Sequence, residues 1–196
     1  MPRNIEVKVR LAEPRDLPQR LLHLGARFAA TLRQRDVFFA VPEGRLKLRF
    51  NNDDAELIHY HRANAANLRG SDYERLPIGD GVAIQRVLGQ ALSIVGEVHK
   101  VRQLYRLENI RIHIDEVEGL GAFMEIEAVV DASHDEEQCH DAALGLLRDL
   151  GIGSETYESK AYVDLLNDRQ HESSHDVSHD VSHEGASHVR TPAAGL

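Results

Sequence analysis

The 196-residue sequence contains one cysteine, Cys139, and no tryptophan. A single cysteine excludes an internal disulfide framework and a zinc site built from cysteines. No apolar run approaches the roughly 18–20 residues that span a bilayer, so we expect no membrane partner. The opening stretch MPRNIEVKVR lacks the apolar segment of a secretory signal. Together these absences predict a cytoplasmic protein, and the length suits one domain with a tail.

Positive charge is also scarce, since the formal net charge is −9. An acidic chain argues against nucleic acid as a partner, because nucleic-acid binders usually carry a basic surface. An RNA-binding barrel is disfavoured further because the five Phe and five Tyr residues include no evident stacking pair. Lysine is rarer than arginine, with four against 19.

Alternating apolar and polar residues predict an α+β domain built on antiparallel strands. NIEVKVRL, residues 4–11, places Ile, Val and Leu on one face of a strand and charges on the other. The same alternation predicts strands at 97–106, 109–117 and 122–130. Helical spacing occurs in EPRDLPQRLLHLGARF, DGVAIQRVLGQAL and DEEQCHDAALGLLRDLGI. Seven or eight strands with two or three helices favour a large antiparallel sheet or a closed barrel.

The composition changes at about residue 169, where a Ser-His-Asp-Val unit begins to repeat. We therefore expect a folded domain at 1–168 and a His/Ser/Asp-rich tail at 169–196. The tail has few large apolar side chains to offset its ordering entropy, which predicts disorder. Its i, i+4 histidine spacing could bind a transition metal if the tail became helical.

The charged faces of the predicted strands are unusually rich in cations for an acidic chain. Nine cations share such faces: Lys8, Arg10, Arg45, Lys47, Arg49, Arg62, Lys100, Arg102 and Arg111. For any single strand, a face exposed to water explains its charges. However, two like charges about 4 Å apart repel by about 4 kcal/mol at an effective dielectric constant near 20. Cations that converge from several strands are therefore typical of a site for a polyanion.

Four acids lie on the same predicted faces: Glu6, Asp115, Glu125 and Glu127. Carboxylates among cations suit a hard divalent metal such as Mg²⁺ or Mn²⁺, held jointly with substrate phosphates. Such a metal would polarise a phosphoryl oxygen and neutralise the charge that develops on it. The alternative use of each carboxylate is an internal ion pair.

Six segments resemble, in the expected order, those of the CYTH superfamily. These are the triphosphate tunnel metalloenzymes, which include class IV adenylate cyclases and thiamine triphosphatases. NIEVKVR is similar to the ExExK signature, with Glu6 and Lys8 matching and Asn4 in place of the first Glu. RLKLR, YHR and HKVRQLY resemble basic strands, IHIDEVEGLGAFMEIE is the closest match, and ESKAYVDLL resembles the closing motif. The resemblance covers about residues 3–167.

This resemblance implies an eight-stranded antiparallel β-barrel with flanking helices, whose lumen binds a triphosphate. The implied phosphate ligands are Lys8, Arg10, Lys47, Arg49, Arg62, Lys100, Arg102, Arg111 and Lys160. The implied ligands of Mg²⁺ or Mn²⁺ are Glu6, Asp115, Glu125 and Glu127. Lys8 and Lys160 are the implied catalytic residues.

Two reactions suit such a site. In one, the ribose 3′-hydroxyl of ATP attacks the α-phosphorus to give cyclic AMP and pyrophosphate. In the other, water attacks a terminal phosphorus of inorganic triphosphate, thiamine triphosphate or a nucleotide. The resemblance favours the class IV adenylate cyclase-like reaction, although fold similarity does not decide chemistry. Asn4 also leaves open a non-catalytic polyphosphate- or nucleotide-binding module. For the general base, Tyr60, Tyr162 and His113 are alternatives to Lys160. We expect the protein to be a monomer or a homodimer.

Overall fold

A computed structural model describes residues 2–52, 54–62 and 67–179, with side chains up to residue 172. Eight antiparallel strands close into a barrel in the order β1-β5-β4-β3-β2-β6-β7-β8. The strands are β1 Arg3–Arg10, β2 Arg27–Phe39, β3 Arg45–Asn51, β4 Asp54–Arg62, β5 Arg69–Ile78, β6 Ile94–Leu107, β7 Ile110–Val117 and β8 Gly121–Val130. The helices are α1 Leu17–His23, α2 Gly81–Ala91, α3 Glu136–Asp149 and α4 Tyr162–His179, with a 3₁₀ turn at Ser154–Thr156. This architecture confirms the predicted fold.

The hydrophobic core lies outside the barrel rather than in its lumen. Outward-facing residues of β1, β7 and β8 form one buried cluster with residues of α1 and α3. Ile5, Val7 and Val9 of β1 belong to it, as their predicted apolar face requires. Leu21 of α1 and Leu147 of α3 pack in the same cluster. Each fully buried side chain of this kind contributes roughly 1.5–3 kcal/mol. The outer layer can therefore stabilise the barrel while its lumen stays polar.

The helices begin and end at residues that the sequence marks. The Asp135 carboxylate accepts a hydrogen bond from the Gln138 backbone N–H, and the Gln138 side chain accepts one from the Asp135 N–H, both at 2.9 Å. This capping box begins α3. Asp80 caps α2 by accepting from the Ala83 N–H at 2.9 Å. Gly25, with φ of +89°, follows α1 in the left-handed conformation that glycine adopts most easily.

The first turn of α4 closes one end of the barrel. Tyr162 and Val163 lie in a buried cluster with residues of β2, β6, β7 and β8. The Tyr162 and Phe123 rings pack edge to face with centroids 5.0 Å apart. Two hydrogen bonds from Arg45 to Asp164, of 3.0 and 2.6 Å, attach the helix to β3. The lumen is therefore covered on this side by a docked helix.

Helix α4 continues to His179, beyond the boundary expected at residue 168. Residues 169–179 are thus helical in the structure, whereas we predicted that the tail is disordered from residue 169. The docked first turn provides a physical reason, because a nucleated helix propagates at little further cost. Residues 180–196, the rest of the predicted tail, lie outside the described residues. None of the described helices is both long and apolar enough to cross a membrane.

Candidate active site in the barrel lumen

Inward-facing residues from all eight strands line a cavity of about 280 Å³. The two-residue period of a strand sends alternate side chains into the lumen. Glu6 and Lys8 of β1 are two such neighbours, and Lys100 and Arg102 of β6 are another pair. Tyr162 contributes to the lining from the end that α4 covers.

Positive charge exceeds negative charge in the lining of this cavity. Nine of the described lining residues are cationic: Lys8, Lys47, Arg49, Arg62, Arg75, Lys100, Arg102, Arg106 and Arg111. Five are acidic: Glu6, Asp36, Glu56, Glu125 and Glu127. The nine formal positive charges exceed the five negative ones by four, in a chain whose net charge is −9. The lumen therefore has the opposite sign to the whole protein.

Asp115 holds two of these cations in place. Its carboxylate is fully buried and accepts hydrogen bonds from Lys100 at 3.0 Å and from Arg102 at 2.6 Å twice. The Tyr162 hydroxyl also donates to it at 3.1 Å. Burial alone would raise the pKa of Asp115, but Arg102 and Lys100 outweigh burial and hold this pKa well below its usual range. We predicted Asp115 as a metal ligand. In the structure it supports Lys100 and Arg102, and its role as a metal ligand stays a prediction.

Asp36 of β2 plays the same part for two cations of β3. Arg49 donates to Asp36 at 2.7 and 2.6 Å, and Lys47 donates at 3.1 Å. Burial, followed by the nearby charge of Arg49, lowers the pKa of Lys47 to about 8. The sequence analysis missed Asp36. The period of two was the available signal, since Gln34, Asp36 and Phe38 share the inward face of β2.

The register of β7 and β8 gathers His113, Glu125 and Glu127. His113 lies directly opposite Glu125 in the sheet. One ligand atom from each of the three residues lies within 4.8 Å of the others. His113 Nδ1 is 3.9 Å from Glu125 Oε2 and 3.7 Å from Glu127 Oε1. Burial lowers the pKa of His113, which favours the neutral imidazole. Two of the four predicted metal ligands therefore meet here, next to a histidine.

Both glutamates of this group are ionised and paired with cations. Glu125 accepts from Arg102 at 2.6 Å and lies 3.5 Å from Lys8 Nζ. Glu127 lies 3.0 Å from Arg111. Burial would raise the pKa of each carboxyl. Lys8 and Arg102 beside Glu125, and His113 and Arg111 beside Glu127, outweigh burial and hold both pKa values below their usual range. The carboxylates are therefore available as anionic ligands at neutral pH.

Lys8 lies where the basic and acidic parts of the lining meet. Besides Glu125, its Nζ contacts the Lys160 carbonyl oxygen at 3.0 Å and lies 3.7 Å from the Tyr162 ring centroid. Burial lowers the pKa of Lys8 to about 7. A lysine with a pKa near 7 can hold an anion when charged and accept a proton when neutral.

Two buried guanidinium groups keep donors that nothing in the described chain satisfies. Arg62 donates to Glu6 at 2.8 Å, yet its Nε and Nη2 have no partner. Arg111 lies beside Glu127, yet its Nε has no partner. An unsatisfied buried donor costs about 1–3 kcal/mol. A ligand with several acceptor oxygens in the cavity would remove this cost.

Two predicted phosphate ligands lie outside the cavity lining. The Lys160 ammonium is exposed and donates to Asp168 at 2.7 Å, so this residue offers only its carbonyl oxygen to Lys8. Arg10 is half exposed and pairs with Glu158 at 3.3 Å. The reason is the path of the chain, which passes over the end of β1 before α4 begins and turns both cations toward its own acids.

Residues that the sequence analysis did not assign also line the cavity. Arg75 and Tyr73 of β5, Arg106 of β6 and Glu56 of β4 face inward. Their alternation was visible in the sequence, and Arg106 lies within the strand predicted at 97–106. Asn4, at the first Glu position of ExExK, is buried and its Oδ1 has no partner.

The chain is similar in sequence and fold to known proteins. A family model described as the CYTH domain matches residues 2–162. A curated protein of Methanocaldococcus jannaschii, named as a candidate adenylate cyclase, is 22% identical over 169 residues, which cover 82% of this chain and 97% of that protein. A solved structure from Pyrococcus horikoshii is 26% identical, has a TM-score of 0.75, and the match covers 83% of this chain and 98% of that one.

A second solved structure comes from Hippeastrum. It is described as a candidate adenylyl cyclase with a dominant triphosphatase activity. It is 20% identical, has a TM-score of 0.60, and the match covers 82% of this chain and 91% of that chain. At this identity the likeness concerns the fold alone.

Proposed function

Because the chain belongs to the CYTH domain family, we propose that it is a metal-dependent enzyme that binds a triphosphate in the barrel lumen. The proposed reaction is that of class IV adenylate cyclases, in which ATP gives cyclic AMP and pyrophosphate. The matching stretch IHIDEVEGLGAFMEIE and the cyclase name of the Methanocaldococcus jannaschii relative support this choice.

The positive lumen is the observation that carries the proposal. Its lining has four more formal positive than negative charges, or three more when Asp115, which is bonded to Lys100 and Arg102, is included. A triphosphate carries about four negative charges at neutral pH, since the last proton of a terminal phosphate has a pKa near 6. Its oxygens would also satisfy the unused donors of Arg62 and Arg111. A monophosphate would match neither the charge nor the number of donors.

Glu125 and Glu127 are the residues that fit a divalent cation. Their carboxylate oxygens belong to a group of ligand atoms within 4.8 Å of one another. Two metal–oxygen bonds of about 2.0–2.2 Å span at most about 4.4 Å, so small side-chain movements would bring these oxygens onto one ion. When bound, Mg²⁺ or Mn²⁺ supplies charge neutralisation and polarises a phosphoryl oxygen. Glu6 accepts a hydrogen bond from Arg62 and Asp115 accepts from Lys100 and Arg102, and the role of both as metal ligands stays a prediction.

The fixed cations do the positioning in this proposal. Asp115 and Asp36 hold Lys100, Arg102, Lys47 and Arg49 in one arrangement before substrate arrives. Preorganised donors of this kind stabilise the charge of a phosphoryl transition state without reorganising. Lys8 contacts both the carboxylate Glu125 and the cavity, so we assign it the stabilisation of the reacting phosphate.

Hydrolysis of a triphosphate is the second candidate. The Hippeastrum protein shares this fold and is described as having a dominant triphosphatase activity. Hydrolysis needs the same contacts between cations and phosphates, with water in place of the ribose hydroxyl as the nucleophile. Inorganic triphosphate, thiamine triphosphate and nucleotides are the substrates of this alternative.

Product analysis tests the proposal directly. The protein is incubated with ATP, inorganic triphosphate or thiamine triphosphate, each with Mg²⁺ or Mn²⁺, and the products are separated by chromatography. We expect cyclic AMP and pyrophosphate from ATP, and loss of both products in Glu127→Gln. Glu116→Gln, an isosteric change on the exposed face of the same barrel wall, serves as the matched control. Phosphate release without cyclic AMP would assign the second candidate, and no product from any substrate would contradict an enzyme.

The pH dependence of binding tests the role of Lys47. Because its pKa in the free protein is about 8 and a bound triphosphate favours the charged form, the complex holds more protons than the free protein above pH 8. Affinity should therefore fall as the pH rises from 7 to 9, by about tenfold for this one group. Lys47→Arg stays charged over this range, so the affinity ratio of variant to wild type should rise with pH in calorimetric titrations.

A ratio that stays constant from pH 7 to 9 would remove Lys47 from the phosphate site. Comparing the two proteins at each pH cancels the titration of the triphosphate itself. The ratio cancels the titration of Lys8 as well, because both proteins contain it.

A further inference from the structure

His113 is a buried residue of the cavity lining to which the proposed function gives no role. It is 5% exposed, and its Nδ1 has no hydrogen-bond partner among the described residues. The nearest acceptors are Glu125 Oε2 at 3.9 Å and Glu127 Oε1 at 3.7 Å, beyond hydrogen-bond reach. A buried polar atom without a partner is costly, and this one faces two carboxylates at once.

The carboxylates keep oxygens that a cation could use. Glu127 contacts Arg111 through Oε2, which leaves Oε1 toward His113. Glu125 accepts from Arg102 through Oε2, while its Oε1 meets only the longer 3.5 Å contact with Lys8. A nitrogen and two carboxylates therefore converge within 4.8 Å.

We propose that His113 Nδ1 is a metal ligand together with Glu125 and Glu127, and that this site selects Mn²⁺ over Mg²⁺. Imidazole is a borderline ligand that suits first-row transition ions, whereas Mg²⁺ prefers oxygen ligands and retains its water. The inference rests on the proposed function only for its claim that a divalent metal takes part. It adds a nitrogen ligand that the acidic residues alone do not supply.

The backbone register supports a built site rather than a chance approach. His113 and Glu125 are direct partners on β7 and β8, and Arg111 and Glu127 are the next inward pair. Inward neighbours on paired strands are held by the barrel hydrogen bonds. The three ligand residues thus need small side-chain movements, without a change of the backbone, to meet one ion.

Electron paramagnetic resonance with Mn²⁺ alone tests this directly. The full chain is loaded with less than one equivalent of Mn²⁺, and the electron spin echo is examined for coupling to a ¹⁴N nucleus. The histidines of the tail are a second source of imidazole, so they are replaced by Asn in the background used: His171, His175, His179, His183 and His188. We expect ¹⁴N coupling in this background and its loss in His113→Gln.

Metal titrations measure the selectivity. The free Mn²⁺ signal gives the affinity, and competition by Mg²⁺ gives the ratio. We expect His113→Gln to weaken Mn²⁺ binding by about 10- to 100-fold and Mg²⁺ binding by less. A loss of this size is typical even for residues that only hydrogen-bond to a metal ligand. A spectrum of bound Mn²⁺ without ¹⁴N coupling, or with coupling unchanged in His113→Gln, would overturn the inference.

These outcomes separate the inference from the proposed function. Turnover of a triphosphate with Mg²⁺ in a protein that shows no ¹⁴N coupling would contradict the nitrogen ligand alone. Coupling that depends on His113, in a protein that gives no product from any triphosphate, would support the site and contradict the enzyme. If His113→Gln fails to fold, absence of ¹⁴N coupling in the tail-substituted background still overturns the inference.

Discussion

Lys8→Met is expected to reduce turnover by about 100- to 1000-fold, the range for removing one preorganised donor from a reacting centre. Methionine fills similar space and can keep the packing against the Tyr162 ring, which lies 3.7 Å from Lys8 Nζ. Because burial already lowers the pKa of Lys8 to about 7, loss of the ammonium also removes a desolvation cost. The unfolding temperature should therefore change little. Steady-state kinetics and thermal unfolding measure the two effects.

Lys160→Met is the matched comparison, because it removes the other lysine that the sequence assigned to catalysis. The Lys160 ammonium is exposed and paired with Asp168, so we expect a much smaller loss than for Lys8→Met. Equal losses in the two variants would show that Lys160 enters the site during turnover. Full activity of Lys8→Met would remove Lys8 from the catalytic residues.

Asp115→Asn is expected to lower the free energy of unfolding of the metal-free protein by about 3–5 kcal/mol, the cost of leaving buried charges without their partner. Asp115 is fully buried, and Lys100 and Arg102 both direct their donors at it. Asparagine has the same shape but no charge, so Lys100 would lose its carboxylate partner and Arg102 would keep its bond to Glu125 but lose two others. Chemical denaturation monitored by circular dichroism provides the measurement.

The control is Asp141→Asn, the same change at an exposed position of α3, which should alter stability by less than about 0.5 kcal/mol. If Asp115 were mainly a metal ligand, Asp115→Asn would leave the metal-free protein stable and would weaken only metal binding. That result would contradict the supporting role seen in the structure.

Both predictions follow from a barrel built with its hydrophobic core on the outside. The clusters beneath α1, α2 and α3 pack against the outer strand faces, which leaves the lumen for charges. Asp36 and Asp115 each hold two cations through several hydrogen bonds. The lumen is therefore stable without ligand yet still has positive charge in excess.

Much of the fold could be predicted from local pattern. The alternation in NIEVKVRL placed Ile5, Val7 and Val9 on one face, and that face packs under the helices. The strands predicted at 109–117 and 122–130 agree closely with β7 and β8. The helix that extends to His179 was not predicted. Composition shows how little apolar surface a segment can bury, but it does not show whether a docked first turn nucleates a helix there.

The sequence predicted most of the residues that line the cavity, but it did not predict what each of them contacts. Most predicted cations line the cavity, because facing inward depends on the parity of a position within its strand. Asp36 was missed because the period of two places it on the inward face of β2 but a single acid in RQRDVFF does not show which cations it meets. Lys160 and Arg10 lie outside the cavity lining because their direction depends on how the segment before α4 crosses the end of β1, and their role as phosphate ligands stays a prediction.

The sequence by itself therefore determined which side chains face the lumen and that cations predominate there, since strand period and residue type are local properties. Only the tertiary structure decided which acid meets which cation. Barrel closure and register join Asp115 to Lys100 and Arg102, and bring His113 beside Glu125 and Glu127. The physical reason is that charge interactions act over a few ångströms, and residues far apart in the chain reach that distance only when all eight strands are in place.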